Sequence, residues 1–197
     1  MSDVVLATED ELSGAVGVRV LASSSRPLAP ALRLRRSGAG YLRSRIDSWC
    51  QMAQRQPVLL IADLDRTACA PALIADWMGS RARPSGLIFR VAVREVEAWL
   101  LADHPAMQKL LGKSVRLPDD PDSLPDPKAH LLGLARRAGG EVRGDLVGEF
   151  GGALRQGLGY NARLCQLVVE SWDPARAATR SRSLSRARRR LDELAGT

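Results

Sequence analysis

The chain has 197 residues and a mass of 21.3 kDa, enough for one generous domain or a domain with an elaborate tail. A hydrophobic content of 45% supplies a core and excludes a disordered chain. The net charge of +7 admits nucleic acid as a partner, yet all but three of the 29 basic residues are arginines, which an arginine-rich coding composition would produce equally well.

No apolar run nears the ~18 residues of a membrane span. The opening "MSDVVLATEDE" lacks the basic start and apolar stretch of a signal peptide, so a cytoplasmic protein is expected. Cys50, Cys69 and Cys165 are scattered, which suits small buried hydrophobes better than disulfides or zinc ligands. His104 and His130 are the only histidines, too few for a zinc hydrolase or a histidine-based triad. Any catalysis is expected to rest on carboxylates.

In chain order, "DVVLA" (3–7) reads as a short buried strand. Thr8 and Glu11 stand in capping-box spacing ahead of a helix with Leu12, Val16 and Val20 on one face. An edge strand is expected at 31–35, followed by a break at Ser37 and Gly38. "AGYLRSRIDSWCQMAQR" then gives one amphipathic helix with Leu42, Ile46, Trp49 and Met52 on a single stripe. "VLLIA" after Pro57 is the most convincing central strand, "APALIADWMG" a short helix ended by Gly79, and "GLIFRVAV" (86–93) a further strong strand. This alternation predicts a three-layer α/β fold with a mostly parallel central sheet.

The remainder differs. "EVEAWLLADHPAMQKLLG" continues as helix broken near Pro105, and "RLPDDPDSLPDPK" reads as an ordered turn or surface loop. Helices are expected near 127–138, 160–171 and 183–195. "GGALRQGLGY" (151–160) follows no strand, so it reads as a flexible turn and not a nucleotide-cradling loop, with Tyr160 a weak candidate contact. Residues 1–103 are taken as the α/β domain and 104–197 as a helical appendage packed on it.

Three of the strands end in acids spaced by two: Glu9 and Glu11, Asp63 and Asp65, Glu95 and Glu97. In an open α/β sheet functional groups gather beyond the carboxyl ends of the strands, and in extended backbone that spacing puts both side chains of a pair on one face. Converging carboxylates repel, and Mg²⁺ or Mn²⁺ with oxygen ligands relieves the repulsion. Taken singly, each pair also fits a solvated helix start or a cap.

Glutamate after the first strand and Asp-x-Asp after a later one is the pattern of the TOPRIM (topoisomerase–primase) domain. "VVLATEDELSGAVGVRVL", "PVLLIADLDRTA" and "FRVAVREVEAWLLAD" resemble a group of small bacterial TOPRIM-like proteins. So do "LPDPKAHLLGLARR", "GLGYNARL" and the arginine-rich end. The resemblance implies a Mg²⁺- or Mn²⁺-dependent nuclease, with Glu9, Asp63 and Asp65 as catalytic and metal-binding acids and Glu97 as an additional acid. Its implied partners are nucleic acid, DNA above all, and an ATPase encoded alongside in a defence system; a homodimer is also compatible. Many TOPRIM domains place glycine after the first glutamate, whereas Asp10 follows here, which leaves Glu9 and Glu11 both open as the working acid.

"DLDRT" also fits the nucleophile motif of haloacid-dehalogenase-like phosphatases, with Asp63 attacking phosphate and Asp65 as general acid/base. That motif normally opens its fold, whereas about 60 residues precede it here. A non-catalytic regulatory or binding protein is the alternative from another class. Lys128, a lysine in an arginine-dominated chain, is a candidate point charge for a scissile phosphate or a solvated helix-start residue. Arg182, Arg186, Arg189 and Arg190 form a helical stripe suited to phosphate backbone, or to balancing the acidic loop at 119–126.

Overall fold

The computed structural model describes residues 3–35 and 39–196; the break expected at Ser37 and Gly38 lies outside them. Four apolar strands carry the centre: β1 (Asp3–Thr8), β2 (Ala29–Arg35), β3 (Val58–Asp63) and β4 (Leu87–Ala92). They pair in the order β2-β1-β3-β4, every neighbour parallel. Such a sheet must be covered on both faces, which is why β3 reads as a continuous apolar run rather than an alternation.

The period-2 alternation of side chains sorts each strand between two cores. Val4, Leu6, Leu59, Ile61, Ile88 and Ala92 face one layer, built on α1 (Glu11–Ala22), α5 (Val96–Leu101), α9 (Tyr160–Glu170) and α11 (Arg182–Ala195). Val5, Ala7, Val58, Leu60, Ala62, Phe89 and Val91 face the other, built on α2 (Ala39–Ser44), α3 (Ile46–Ala53) and α4 (Ala70–Met78). Trp49 is buried in that second core, where Trp77 also packs against Phe89 at 5.2 Å between ring centroids. The result is a three-layer α/β fold with a parallel sheet, as the alternation of elements predicts.

The chain beyond Ala102 completes the first layer. It contains α6 (His104–Leu111), a short 3-10 turn (Pro121–Ser123), α7 (Pro127–Ala135), α8 (Gly140–Leu146), β5 (Val147–Phe150), β6 (Ala153–Gln156) and α10 (Pro174–Ala177) before α11. Leu164, Val168, Trp172, Leu184 and Leu191 share one core with the strands. Two indole bonds stitch this segment to α5: Trp172 Nε1 donates to the Trp99 carbonyl at 3.0 Å, and Trp99 Nε1 donates to Ser183 Oγ at 2.7 Å.

Three local expectations change. The single helix foreseen over 39–55 is two, α2 and α3, separated at Arg45. The glycine-rich stretch is not a plain turn: β5 and β6 form an antiparallel hairpin, with Gly151 and Gly152 at φ 59° and 78° as its two-residue loop. Positive φ at both loop positions is the condition a tight hairpin sets, and glycine meets it without strain. Finally, the α1 capping box is Asp10 with Ser13 and not Thr8 with Glu11, since β1 runs on through Thr8; Ser13 N donates to Asp10 Oδ1 at 2.8 Å. No helix of the described residues is long and apolar enough to cross a membrane.

Candidate functional site

The strand order fixes where chemistry can sit. From β1 the chain passes outward through α1 to β2, then returns to place β3 on the other flank of β1. A crevice therefore opens beyond the carboxyl ends of β1 and β3. Glu9 leaves β1 into it and Asp63 ends β3 beside it. The two are linked, because the Asp63 amide donates to Glu9 Oε1 at 3.2 Å.

Asp63 is held from the next strand as well. The loop after β4 turns into α5, and the Val96 amide donates to Asp63 Oδ1 at 2.9 Å. Glu97, in the first turn of α5, is 2% exposed and accepts from Tyr160 Oη at 2.9 Å. Its other oxygen, Oε2, is buried without a hydrogen-bond partner. Lys128 reaches in from the start of α7, with Nζ 3.5 Å from Glu97 Oε1 and 3.7 Å from Glu95 Oε1, while its amide donates to Glu95 Oε2 at 2.9 Å. Glu95 thus satisfies the Lys128 amide in the first turn of α7, whose N-cap is Asp126, and the lysine head sits between two carboxylates.

The electrostatics show a cluster with too much negative charge. Burial raises the Glu9 pKa from 4.5 to about 7, with Asp65 and Asp10 adding to the rise and the Asp63 amide and Lys128 opposing it. Asp63 is pushed well above the ordinary carboxylate value, by burial first and then by Glu97, Glu9, Asp65 and Asp10. Burial also raises Glu97, against the pull of Lys128 and the Tyr160 hydroxyl. For Lys128, burial disfavours the charge, but Glu97, Glu95, Asp63 and Asp10 outweigh it and leave its pKa raised. Carboxylates this close either hold protons or need a cation.

The acid pairs do not each share a face. Asp65 takes φ 49°, the only non-glycine positive φ among the described residues, and turns outward. Its amide donates to the Arg94 carbonyl at 2.8 Å, and the Arg94 guanidinium donates back to the carbonyls of Asp65 and Thr67, each at 2.9 Å. Asp65, Arg66, Arg94, Glu95 and Asp126 rim an open cleft of about 700 Å³ next to the inner acids. Glu11 is exposed as the first residue of α1, and it is Asp10, capping that helix, whose charge reaches Glu9 and Asp63. Asp10 escaped the sequence reading because its motif position suggested only a missing glycine. Arg94 gave no signal beyond its place after β4.

As the side chains stand, no three carboxylate, imidazole or thiol groups among the described residues are arranged to hold one ion. In kind, the donors fit a hard divalent cation: all are oxygens, they repel one another, and Glu97 Oε2 lacks a partner.

The arginine stripe is on α11, which contributes no residue to the lining of the cleft beside the acids. Arg182, Arg186 and Arg189 are exposed and make no ion pair among the described residues, whereas Arg190 donates to Glu193 at 3.0 Å and to the Ser85 carbonyl at 3.2 Å. Asp122 of the acidic loop caps α11 instead of pairing with the stripe, accepting from Ser181 Oγ and the Ser183 amide, both at 2.8 Å. Compared with protein-family models, curated proteins and solved structures, the chain matches none.

Proposed function

We propose that the chain is a divalent-metal-dependent, TOPRIM-type nuclease that hydrolyses nucleic-acid phosphodiesters. The observation that carries the reading is the meeting of Glu9 and Asp63, from the ends of β1 and β3, with Glu97, from the first turn of α5, in one cluster whose carboxylates are driven toward their protonated forms. Glu9 and Asp63, with Asp65 at the rim, are the residues that would hold Mg²⁺ or Mn²⁺, Glu9 taking precedence over the exposed Glu11. Glu95 borders the group through Lys128. The cation would supply Lewis acidity and neutralise charge at the scissile phosphate.

The chain's own residues contribute the rest. Lys128, fixed between Glu95 and Glu97, offers a point charge to a phosphate oxygen brought to the cluster. Tyr160 and the buried setting keep Glu97 oriented toward that lysine. Arg94 fixes the Asp65 loop beside the cleft through the Asp65 and Thr67 carbonyls. The unpaired arginines of α11 suit sequence-independent contacts along a duplex. An ATPase encoded alongside and a role in defence belong to the same proposal.

A haloacid-dehalogenase-like phosphatase draws on one observation, that Lys128 and Glu97 gather around Asp63 from distant sequence. Against it, that nucleophile motif normally opens its fold, whereas two strands and three helices precede Asp63 here. Incubation with Mn²⁺ separates the two. Plasmid nicking without turnover of small phosphomonoesters supports the nuclease, whereas phosphomonoester turnover lost in Asp63→Asn would establish the phosphatase.

A further inference from the structure

The outer edge of β4 carries a feature unrelated to the acids. β4 ends the sheet, with β3 as its only strand neighbour among the described residues. Alternation sends Phe89 and Val91 into the second core, while Arg90 faces the α11 side with Ile88 and Ala92. Arginine is an unusual choice for a face shared with a core, and its Nε is buried with no hydrogen-bond partner. Its charged neighbours are mostly of its own sign: burial, then Arg83, Arg190 and Arg189, hold its pKa below the ordinary arginine value, with Glu193 acting the other way. A buried guanidinium nitrogen without an acceptor, near further arginines, costs free energy.

Beside Arg90 lies a groove of about 390 Å³, within the range of small-ligand pockets. One wall is apolar, formed by Pro71, Ile74 and Phe89, and the opposite rim carries Arg182 and Arg186 of α11. Asp122 also borders the groove, but both of its oxygens are committed to Ser181 and Ser183 at the start of α11. The space joins guanidinium forks, which match phosphate oxygens, to an apolar surface of the kind a base or sugar face covers.

We infer that the groove between β4, α4 and α11 is a phosphate-binding site, with Arg90 at its floor and Arg182 and Arg186 at its rim, sized for one nucleotide unit. The inference does not rest on the acid cluster or on cleavage, and it is measured without metal. An acidic peptide strand adding to the open edge of β4 is the competing occupant.

The test is thermal unfolding in inorganic phosphate against chloride at equal ionic strength, for wild type, Arg90→Met, Arg90→Lys and the remote control Arg55→Met. Phosphate should raise the melting temperature of wild type and Arg55→Met. Arg90→Met should bind phosphate at least about tenfold more weakly, and Arg90→Lys, which keeps the charge but loses the fork, should fall between. In phosphate-free buffer Arg90→Met should melt no lower than wild type, because the substitution removes an unpaired buried group, whereas a merely structural arginine would lower it. If Arg90→Met fails to fold, the exposed double variant Arg182→Ser/Arg186→Ser carries the same comparison.

Short oligonucleotides with a 5′-phosphate or a 5′-hydroxyl then separate the sources. A preference for the 5′-phosphate that Arg90→Met abolishes marks a strand end, and equal binding that Arg90→Met abolishes for both marks the internal diester; either supports the site. No phosphate effect on wild type, an effect unchanged in Arg90→Met, or binding of an acidic peptide in place of phosphate would overturn it.

Discussion

Substituting Glu9 by glutamine tests the charge frustration of the acid cluster in the metal-free protein. The Glu9 pKa is about 7 in the folded chain against 4.5 unfolded, so the folded state binds its proton more tightly. The contribution to stability is therefore complete below about pH 4.5 and disappears as the pH rises through about 7, the sign opposite to that of a salt-bridged carboxylate. The raw shift is worth about 3 kcal/mol at 1.36 kcal/mol per unit, and partial exposure of the side chain reduces this to about 2 kcal/mol. Asp63 and Glu97, raised in the same direction, steepen the decline in the wild type. Glu9→Gln keeps an acceptor for the Asp63 amide but cannot ionise. In urea unfolding with chelator present, wild type should lose stability from about pH 5 to about pH 8, and the variant should lose less. At about pH 8 the variant should be the more stable by about 2 kcal/mol, or about 4–8 °C in melting temperature for a chain of this length. A variant less stable than wild type at every pH would refute the reasoning, because it would mean that Glu9 is held by favourable contacts and not pressed by its neighbours.

Tyr160→Phe removes the hydroxyl that Glu97 accepts from and should cost about 1–3 kcal/mol in urea unfolding, since that carboxylate is buried. Lys128→Met should lower any Mn²⁺-dependent plasmid cleavage by at least about tenfold while leaving duplex binding within about twofold, because its charge is spent at the site and not along the backbone. Replacing Arg182, Arg186 and Arg189 by serine should flatten the slope of log affinity against log salt by about two to three units, at about 0.9 per lost contact; Arg190, held by Glu193 and Ser85, should add little when changed. Fluorescence anisotropy with labelled duplex measures both binding effects, and an unchanged slope would remove α11 from the interface.

The parts of the fold legible in the sequence are those whose physics is local or periodic. "VLLIA" and "GLIFRVAV" stand out because parallel strands covered on both faces need uninterrupted apolar side chains. The hairpin of β5 and β6 does not, since its strands are four residues long and β6 is largely exposed, leaving no alternation to read. The α1 cap shows the limit of spacing rules. Thr8-x-x-Glu11 has the right interval, but β1 still needs Thr8, so the cap falls two residues later, on Asp10 with Ser13. At the site, the rule that pairs spaced by two share a face holds only in extended backbone. Asp65 escapes it through a positive φ, whereas Glu95 and Glu97 still converge on Lys128 although Glu97 already lies in α5. That Lys128 and Tyr160 complete the cluster depends on α7 and α9 packing onto α5 and α1, a long-range arrangement that no spacing along the chain encodes.

Calorimetric titration of Mn²⁺ into the wild type and Asp63→Asn, near pH 6.5 in two buffers of different ionisation enthalpy, tests the acid cluster most directly. If the cluster takes a divalent cation, wild type binds Mn²⁺ and releases protons as it does so, because Glu9, with its pKa near 7, is partly protonated beforehand. Asp63→Asn should bind at least about tenfold more weakly and release fewer protons. Equal binding by the two proteins, or wild-type binding with no proton release, would contradict a metal site built on Glu9 and Asp63.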